Sequence, residues 1–256
     1  MQLVYDSKIL RNVLSSVELK GKYLTSTGLK ADSLGEYVKI IATNDGWRNG
    51  YYFLNGNAQT FVCHYLPAII EESESFVIET AKLHKYLKNM SGEVTINISE
   101  TNCKVSCDNK RATIPTAILH PHEMALDKFF HASKEKAIYT EELQPLEWGN
   151  KTVLNGGVGL KSSHLSKAMS ACEAVGHGIY KFNIMDREFT ITSRKDGEQY
   201  SEAFEVPTIG EATVEFTGPM HKGCLSENVN IYFNDDSMIV FIADNITIAR
   251  APRVVV

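Results

Sequence analysis

Phe76-Val77-Ile78-Glu79-Thr80-Ala81-Lys82-Leu83-His84-Lys85-Tyr86-Leu87-Lys88-Asn89-Met90 changes period in its middle. The β-branched and aromatic Phe76-Val77-Ile78 predicts a strand. From Thr80 onward, Leu83, Leu87 and Met90 recur at helical spacing, with Thr80 as cap and Gly92 as stop. Two more strands are expected at 94–98 and 103–107, the second setting Cys103, Val105 and Cys107 on one face. The same phrase returns late in the chain. Thr217 and Met220-His221-Lys222 mirror Thr80 and Leu83-His84-Lys85, again behind a strand (213–216) and ahead of a β-rich tail at 229–233, 238–243 and 246–249.

Working outward, Leu10, Val13, Leu14 and Val17 predict a helix over 7–20, capped by Asp6 or Ser7 and stopped by Gly21. Strands at 37–42, 51–54 and 60–65 follow, separated by Asn44-Asp45-Gly46, Arg48-Asn49-Gly50 and Asn55-Gly56-Asn57. The second half repeats the plan. A strand at 153–160 leads to a helix opened by Ser162 with Leu165, Ala168, Met169 and Cys172 inward, then strands at 179–185, 188–193 and 199–206. The shared order of elements predicts an α+β chain of two duplicated domains, 1–117 and 151–256, each with two helices on β-sheets. The connector, 118–150, contains His120-Pro121-His122, Lys134-Glu135-Lys136 and Pro145 and reads as a surface segment.

At 256 residues, 43% hydrophobic and 22% charged, the chain is not of a disordered or collagen-like class. It has no apolar run of the roughly 20 residues that a membrane helix needs, and no signal-like start. Five cysteines fit a cytosolic chain with reduced thiols better than a disulfide scaffold. A net charge of −5 argues against nucleic acid only if it is evenly spread. It is not. The helical windows 7–20, 80–91, 162–175 and 217–226 hold eight bases (Lys8, Arg11, Lys20, Lys82, Lys85, Lys88, Lys167 and Lys222) against two acids, Glu18 and Glu173. One reading is that lysines simply coat solvated helices. The other is that these faces meet a phosphate backbone, where each base releases a counterion and adds sequence-independent affinity.

The repeated plan resembles that of the DNA sliding clamps: PCNA, the bacterial β clamp and the clamps of T4-like phages. Lys39-Ile40-Ile41-Ala42-Thr43-Asn44-Asp45 is similar to the clamp strand that ends in a polar turn, and 76–116 to the second half of a clamp domain. Ile246-Thr247-Ile248-Ala249-Arg250-Ala251-Pro252-Arg253-Val254 is similar to the family's C-terminal strand and tail. The resemblance implies a DNA polymerase processivity factor, a ring of six domains made from three copies of this chain. Helices would line the hole around double-stranded DNA, and sheets would lie outside. Lys8, Arg11, Lys82, Lys85, Lys88, Lys161, Lys167 and Lys222 would face the DNA. Neighbouring copies would pair through edge strands, by position 59–66 and 199–206. A replicative polymerase and a clamp loader would be the partners. Partner peptides would dock under the connector at Leu119, Leu126, Phe129 and Phe130 with Ala251, Pro252 and Val254, unless the two phenylalanines pack on their own domain. The resemblance implies no enzymatic activity, no cofactor and no metal, and a place in the cytoplasm or nucleoid, or in a nucleus or infected host. Pro219 and Gly223 shorten the fourth helix, and the connector is long for a clamp.

Two alternatives stand beside this reading. One is a monomeric or heteromeric clamp relative; the other is a small hydrolase or metal enzyme using His120, His122 and His131, which lack cysteines or carboxylates at zinc spacing. Gly156-Gly157-Val158-Gly159-Leu160-Lys161-Ser162 superficially resembles a phosphate loop but lacks the glycine before its lysine. Asp108-Asn109 and Asp235-Asp236 read as hairpin turns, and Cys103 and Cys107 as core.

Overall fold

The structure, a computed structural model, describes residues 1–19, 22–25, 28–31, 33–45, 48–57, 59–120, 122–136, 139–149, 152–175, 179–217 and 227–253. In chain order the first elements are β1 (Gln2–Asp6), α1 (Ser7–Val17), β2 (Lys22–Thr25), β3 (Gly28–Ala31), β4 (Tyr37–Thr43), β5 (Gly50–Gly56), β6 (Thr60–Pro67) and β7 (Glu74–Glu79). Then come α2 (Thr80–Leu87), β8 (Glu93–Ile98), β9 (Asn102–Cys107), β10 (Lys110–Pro115) and α3 (Glu123–Lys136). The remainder is β11 (Leu146–Trp148), β12 (Thr152–Leu154), β13 (Gly156–Lys161), α4 (Ser162–Ala174), β14 (Ile179–Met185), β15 (Glu188–Lys195) and β16 (Glu198–Phe204). β17 (Thr208–Ile209), β18 (Ala212–Thr217), β19 (Asn228–Phe233), β20 (Ile239–Ala243) and β21 (Ile246–Arg250) complete it. Two units result: Met1–Lys20 with Ala31–Phe130, and Gly21–Lys30 with His131–Val256. The division between Phe130 and His131 falls inside the expected connector.

The duplication is visible in the pairing. In the first unit β1, β8, β9 and β10 lie side by side, and β7, β4, β5 and β6 run in that order. In the second, β13, β19, β20 and β21 match the former set and β18, β14, β15 and β16 the latter. The strand-to-helix junctions match as well. Asp6 sits opposite Glu93, and Ser7 donates its N–H to Gly92 O at 2.8 Å; Lys161 sits opposite Asn228, and Ser162 donates to Glu227 O at 2.9 Å.

Period-two alternation puts Val38, Ile40, Phe53 and Val62 on one buried face of the first unit, while Leu10, Val13, Leu14 and Val17 of α1 and Leu83 and Leu87 of α2 are buried as well. The second core gathers aromatic rings around Phe182, with Phe216 at 5.0 Å and Phe189 at 5.4 Å, both edge-on.

Several expectations need correction. Thr80 and Ser162 are not caps: Glu79 and Lys161 hold the cap positions, and the two hydroxyls are buried first-turn atoms without a hydrogen bond. The segment expected as a surface connector contains α3, and the strands β1 and β10 were not anticipated. Of the two expected edges, β16 is an outer strand of its sheet; β10, which the reading of the sequence did not offer as an edge, ends the sheet that it shares with β1, β8 and β9. Thr217 ends β18, and the rest of the expected fourth helix lies outside the described residues.

Candidate nucleic-acid interface and partner face

Asp6 accepts the Lys8 backbone N–H at 2.8 Å, so α1 starts with a satisfied donor. The apolar stripe of α1 turns inward, leaving Lys8 exposed and Arg11 half-buried, with its Nε donating to Ser7 O at 3.3 Å. On α2, Leu83 and Leu87 are buried while Lys82 and Lys85 point to solvent, as does Lys88 just past the helix. The two helices pack on each other. His84 bridges them, with Nε2 at 3.4 Å from Ser15 Oγ and Nδ1 at 3.7 Å from Glu18 Oε2. On α4, Leu165, Ala168, Met169 and Cys172 are buried, whereas Lys161 and Lys167 are exposed. Lys222 lies outside the described residues.

Lys82 is not a free charge. Its Nζ stands 2.6 Å from Glu79 Oε2, and that hydrogen bond raises the ammonium pKa. Glu79 sits one residue ahead of the helical window, so a window count misses it. The basic face of α2 therefore rests mainly on Lys85 and Lys88.

At the second candidate site the two phenylalanines follow the alternative left open for them and pack on their own unit. Leu126, Phe129 and Phe130 are carried by α3 and face inward, with exposures of 0%, 6% and 6%. Phe130 meets Tyr52 edge-on at 5.0 Å, and the Phe129 ring lies 5.6 Å from that of Phe61. Leu126 settles against Gly56, where an added Cβ would stand 3.1 Å from its Cδ2 and 2.4 Å from a Phe61 ring carbon. At the helix start Lys39 of β4 is almost fully buried, donating to Glu123 Oε1 at 2.7 Å and to Asp127 Oδ1 at 2.8 Å. Burial pulls its pKa down, but the bonds and charges of Asp127 and Glu123 outweigh that and leave it raised.

Leu119, by contrast, is 69% exposed, and Ile118 and Met124 are more exposed still. In the second unit Ala251 is exposed and Pro252 half-buried. The tail is tied down by Arg253, whose N–H donates to Glu215 O at 2.6 Å and whose guanidinium meets that carboxylate at 3.3 Å. Val254 lies outside the described residues.

Of the three histidines of the alternative reading, His120 is held within the fold. His120 is buried, its Nδ1 accepts the His122 backbone N–H at 3.0 Å, and its Nε2 donates to Tyr37 O at 3.0 Å. Both ring nitrogens are engaged, leaving none for a metal or a substrate proton. Among the described residues, no group of three or more His, Cys, Asp or Glu could hold a metal ion. The glycine-rich stretch is the strand β13, not a phosphate loop. A Cβ on Gly156 would lie 2.6 Å from Ala212 Cβ and 2.7 Å from Phe233 O, so close packing explains that glycine. Cys63, Cys103, Cys107 and Cys172 are free and buried; burial pushes Cys103 up to about 12 and Cys172 to about 11, so neither is a nucleophile at neutral pH.

No protein-family model and no curated protein matches the sequence. Solved structures do. The DNA polymerase III subunit beta from Pseudomonas aeruginosa superimposes on 100% of the chain with a TM-score of 0.72 at 13% identity, through 66% of its own length. The chain thus spans about two thirds of that bacterial clamp. A. fulgidus PCNA, solved with the C-terminal region of FEN-1, gives 0.68 at 13% identity over 100% of this chain and 99% of that one. A chain of the PCNA2–PCNA3 complex from Sulfolobus tokodaii gives 0.67 at 14% identity, covering 99% of each. The chain has the two-domain α+β fold of the DNA sliding clamps.

Proposed function

We propose that the chain is a DNA polymerase processivity factor: three copies close a ring around duplex DNA and tether a replicative polymerase, with a clamp loader opening the ring. The observation that carries this reading is the duplicated strand order, which matches sliding clamps over the whole chain. Such a protein performs no chemistry on DNA; it contributes a topological link. The exposed Lys8, Lys85, Lys88, Lys161 and Lys167, with Arg11, Lys82 and Lys222, line the hole and bind phosphate without reading sequence. For partner binding the reading assigns Leu119 in the first unit and Ala251, Pro252 and Val254 in the second; Leu126, Phe129 and Phe130 contribute only if α3 moves.

Polymerase product length on a primed template, with and without the chain, tests the reading. Lys85→Glu/Lys88→Glu/Lys167→Glu should cut processivity at least tenfold, while light scattering still returns three times the 28.6 kDa of one chain. Full processivity in that variant would remove the basic faces from the mechanism. A mass of one chain at micromolar concentration would instead favour the monomeric or heteromeric reading.

A further inference from the structure

The two units differ in one respect that the duplication does not explain. In the second, the buried Phe189, Ile191 and Ser193 of β15 alternate with the half-buried Thr190 and Thr192 and the exposed Arg194, which leave its outer face polar. Its counterpart β5 is buried at every position. The outer face of β4, β5 and β6 carries Tyr52, Gly56, Phe61 and Tyr65 in place of polar residues, and α3 covers it. This apolar face is thus peculiar to the first unit, and what covers it is a segment of the connector.

α3 sits there in the manner of a bound peptide. Its apolar contacts are concentrated in three anchors at i, i+3 and i+4, the pattern by which amphipathic segments dock in grooves. Leu126 fills the notch at Gly56, Phe129 lies on Phe61 and Phe130 on Tyr52. The polar part of the seat is imperfect. The acids that hold Lys39 are 28% and 44% exposed, so their pull is screened, and Glu123 Oε2 and His122 Nε2 are buried without a hydrogen bond. Undocking would rehydrate those atoms and uncover a lysine beside an aromatic face.

We propose that α3 is a cis-docked occupant of a peptide-binding face. The face receives partner segments that carry an acidic residue for Lys39, an aliphatic residue for the Gly56 notch and two aromatic residues three and four positions further on. A partner enters only when α3 leaves, so α3 lowers partner affinity by the fraction of time it is seated. The inference rests on the reading of the chain as a partner-tethering clamp, but its test contains neither DNA nor polymerase and is scored separately.

The probe is a fluorescein-labelled peptide of residues 119–136 of this chain, titrated in anisotropy against full-length protein to millimolar concentration. The Leu126→Ser/Phe129→Ser/Phe130→Ser variant, whose own helix cannot seat, should bind the probe at least tenfold more tightly than the unaltered chain. The same peptide with all three anchors replaced by serine should not compete. Equal binding by the two proteins, or none by either, overturns the proposal. Glu123→Gln/Asp127→Asn guards against misfolding of the triple variant, since it keeps the anchors and removes both ion pairs with Lys39. It should bind the probe several-fold more tightly than the unaltered chain. Hydrogen exchange in the unaltered protein should release the α3 amides well before those of β4, β5 and β6. Protection of α3 equal to that of those strands would also overturn it.

Discussion

His64 points from β6 toward α1, where Ser16 Oγ lies 2.6 Å from both its Nδ1 and Val13 O. Burial lowers its pKa to about 4, so it is neutral in the folded chain at pH 7. An unfolded histidine titrates near about 6.5. Between those values the unfolded chain takes up a proton that the folded chain refuses, so stability is full above about 6.5 and falls as pH drops toward 4. The loss amounts to roughly 3 kcal/mol at most. Urea midpoints from pH 7.5 to 4.5 should fall more steeply for the unaltered protein than for His64→Asn, which cannot take up that proton; parallel curves would exonerate His64. Its burial was legible in principle, because Val62, His64 and Leu66 share one parity on a strand, as was the inward set Cys103, Val105 and Cys107. Lys39 was not legible. Between Val38 and Ile40 it reads as a solvated lysine, and its partners arrive from a helix far along the chain.

The hairpins show a local choice that costs stability. Asp196-Gly197 turns β15 into β16 with φ of 52° and 90°, placing glycine at the second left-handed position. Asp186-Arg187 makes the corresponding turn between β14 and β15 with φ of 51° and 66°, and an arginine carries the Cβ penalty there. Arg187→Gly should therefore stabilise the chain by about 1 kcal/mol, raising the thermal midpoint by a few degrees. Gly197→Ala should lower it, and a lower midpoint for Arg187→Gly would mean that the side chain contributes more than its backbone costs. Elements were legible where period and punctuation agreed, as in α1, α4 and β9, the strand that leads into the Asp108-Asn109 turn. β10 escaped because, of its six residues, only Ile114 is a buried apolar one, so Lys110-Arg111-Ala112-Thr113-Ile114-Pro115 has almost no alternation. α3 escaped although Leu126, Phe129 and Phe130 have helical spacing. Proline, histidine and charge around them signal a surface loop, and the aromatic face that orders the helix is formed by strands more than fifty residues earlier.

At the scale of the molecule, duplication was legible from element order alone, and the edge at β16 was expected from its position, while the edge at β10 was not, since only three-dimensional neighbours decide which strand is last. β10 and β16 end their four-stranded sheets, and their charges are opposite. Lys110 and Arg111 are exposed at the start of β10; Glu202 lies near the end of β16, and the exposed Glu205 just beyond it. Unpaired backbone groups on such edges invite another strand. An antiparallel seating of β10 on the β16 of a second copy brings the basic end to the acidic end. Because the two surfaces differ, such a contact would be head-to-tail, and it would close only if the rotation per copy fits a ring. Each surface ion pair is weak, about 0–1 kcal/mol, but in a ring every interface would repeat the set, and like charges facing each other would oppose strand pairing at all of them. Lys110→Glu/Arg111→Glu should therefore shift light scattering from three times 28.6 kDa to a single chain at micromolar concentration, with the fold intact by circular dichroism. Adding Glu202→Lys/Glu205→Lys should restore the assembly, and raising the salt should weaken the unaltered one. If the first variant keeps the mass of the unaltered assembly, these two strands are not what joins the copies.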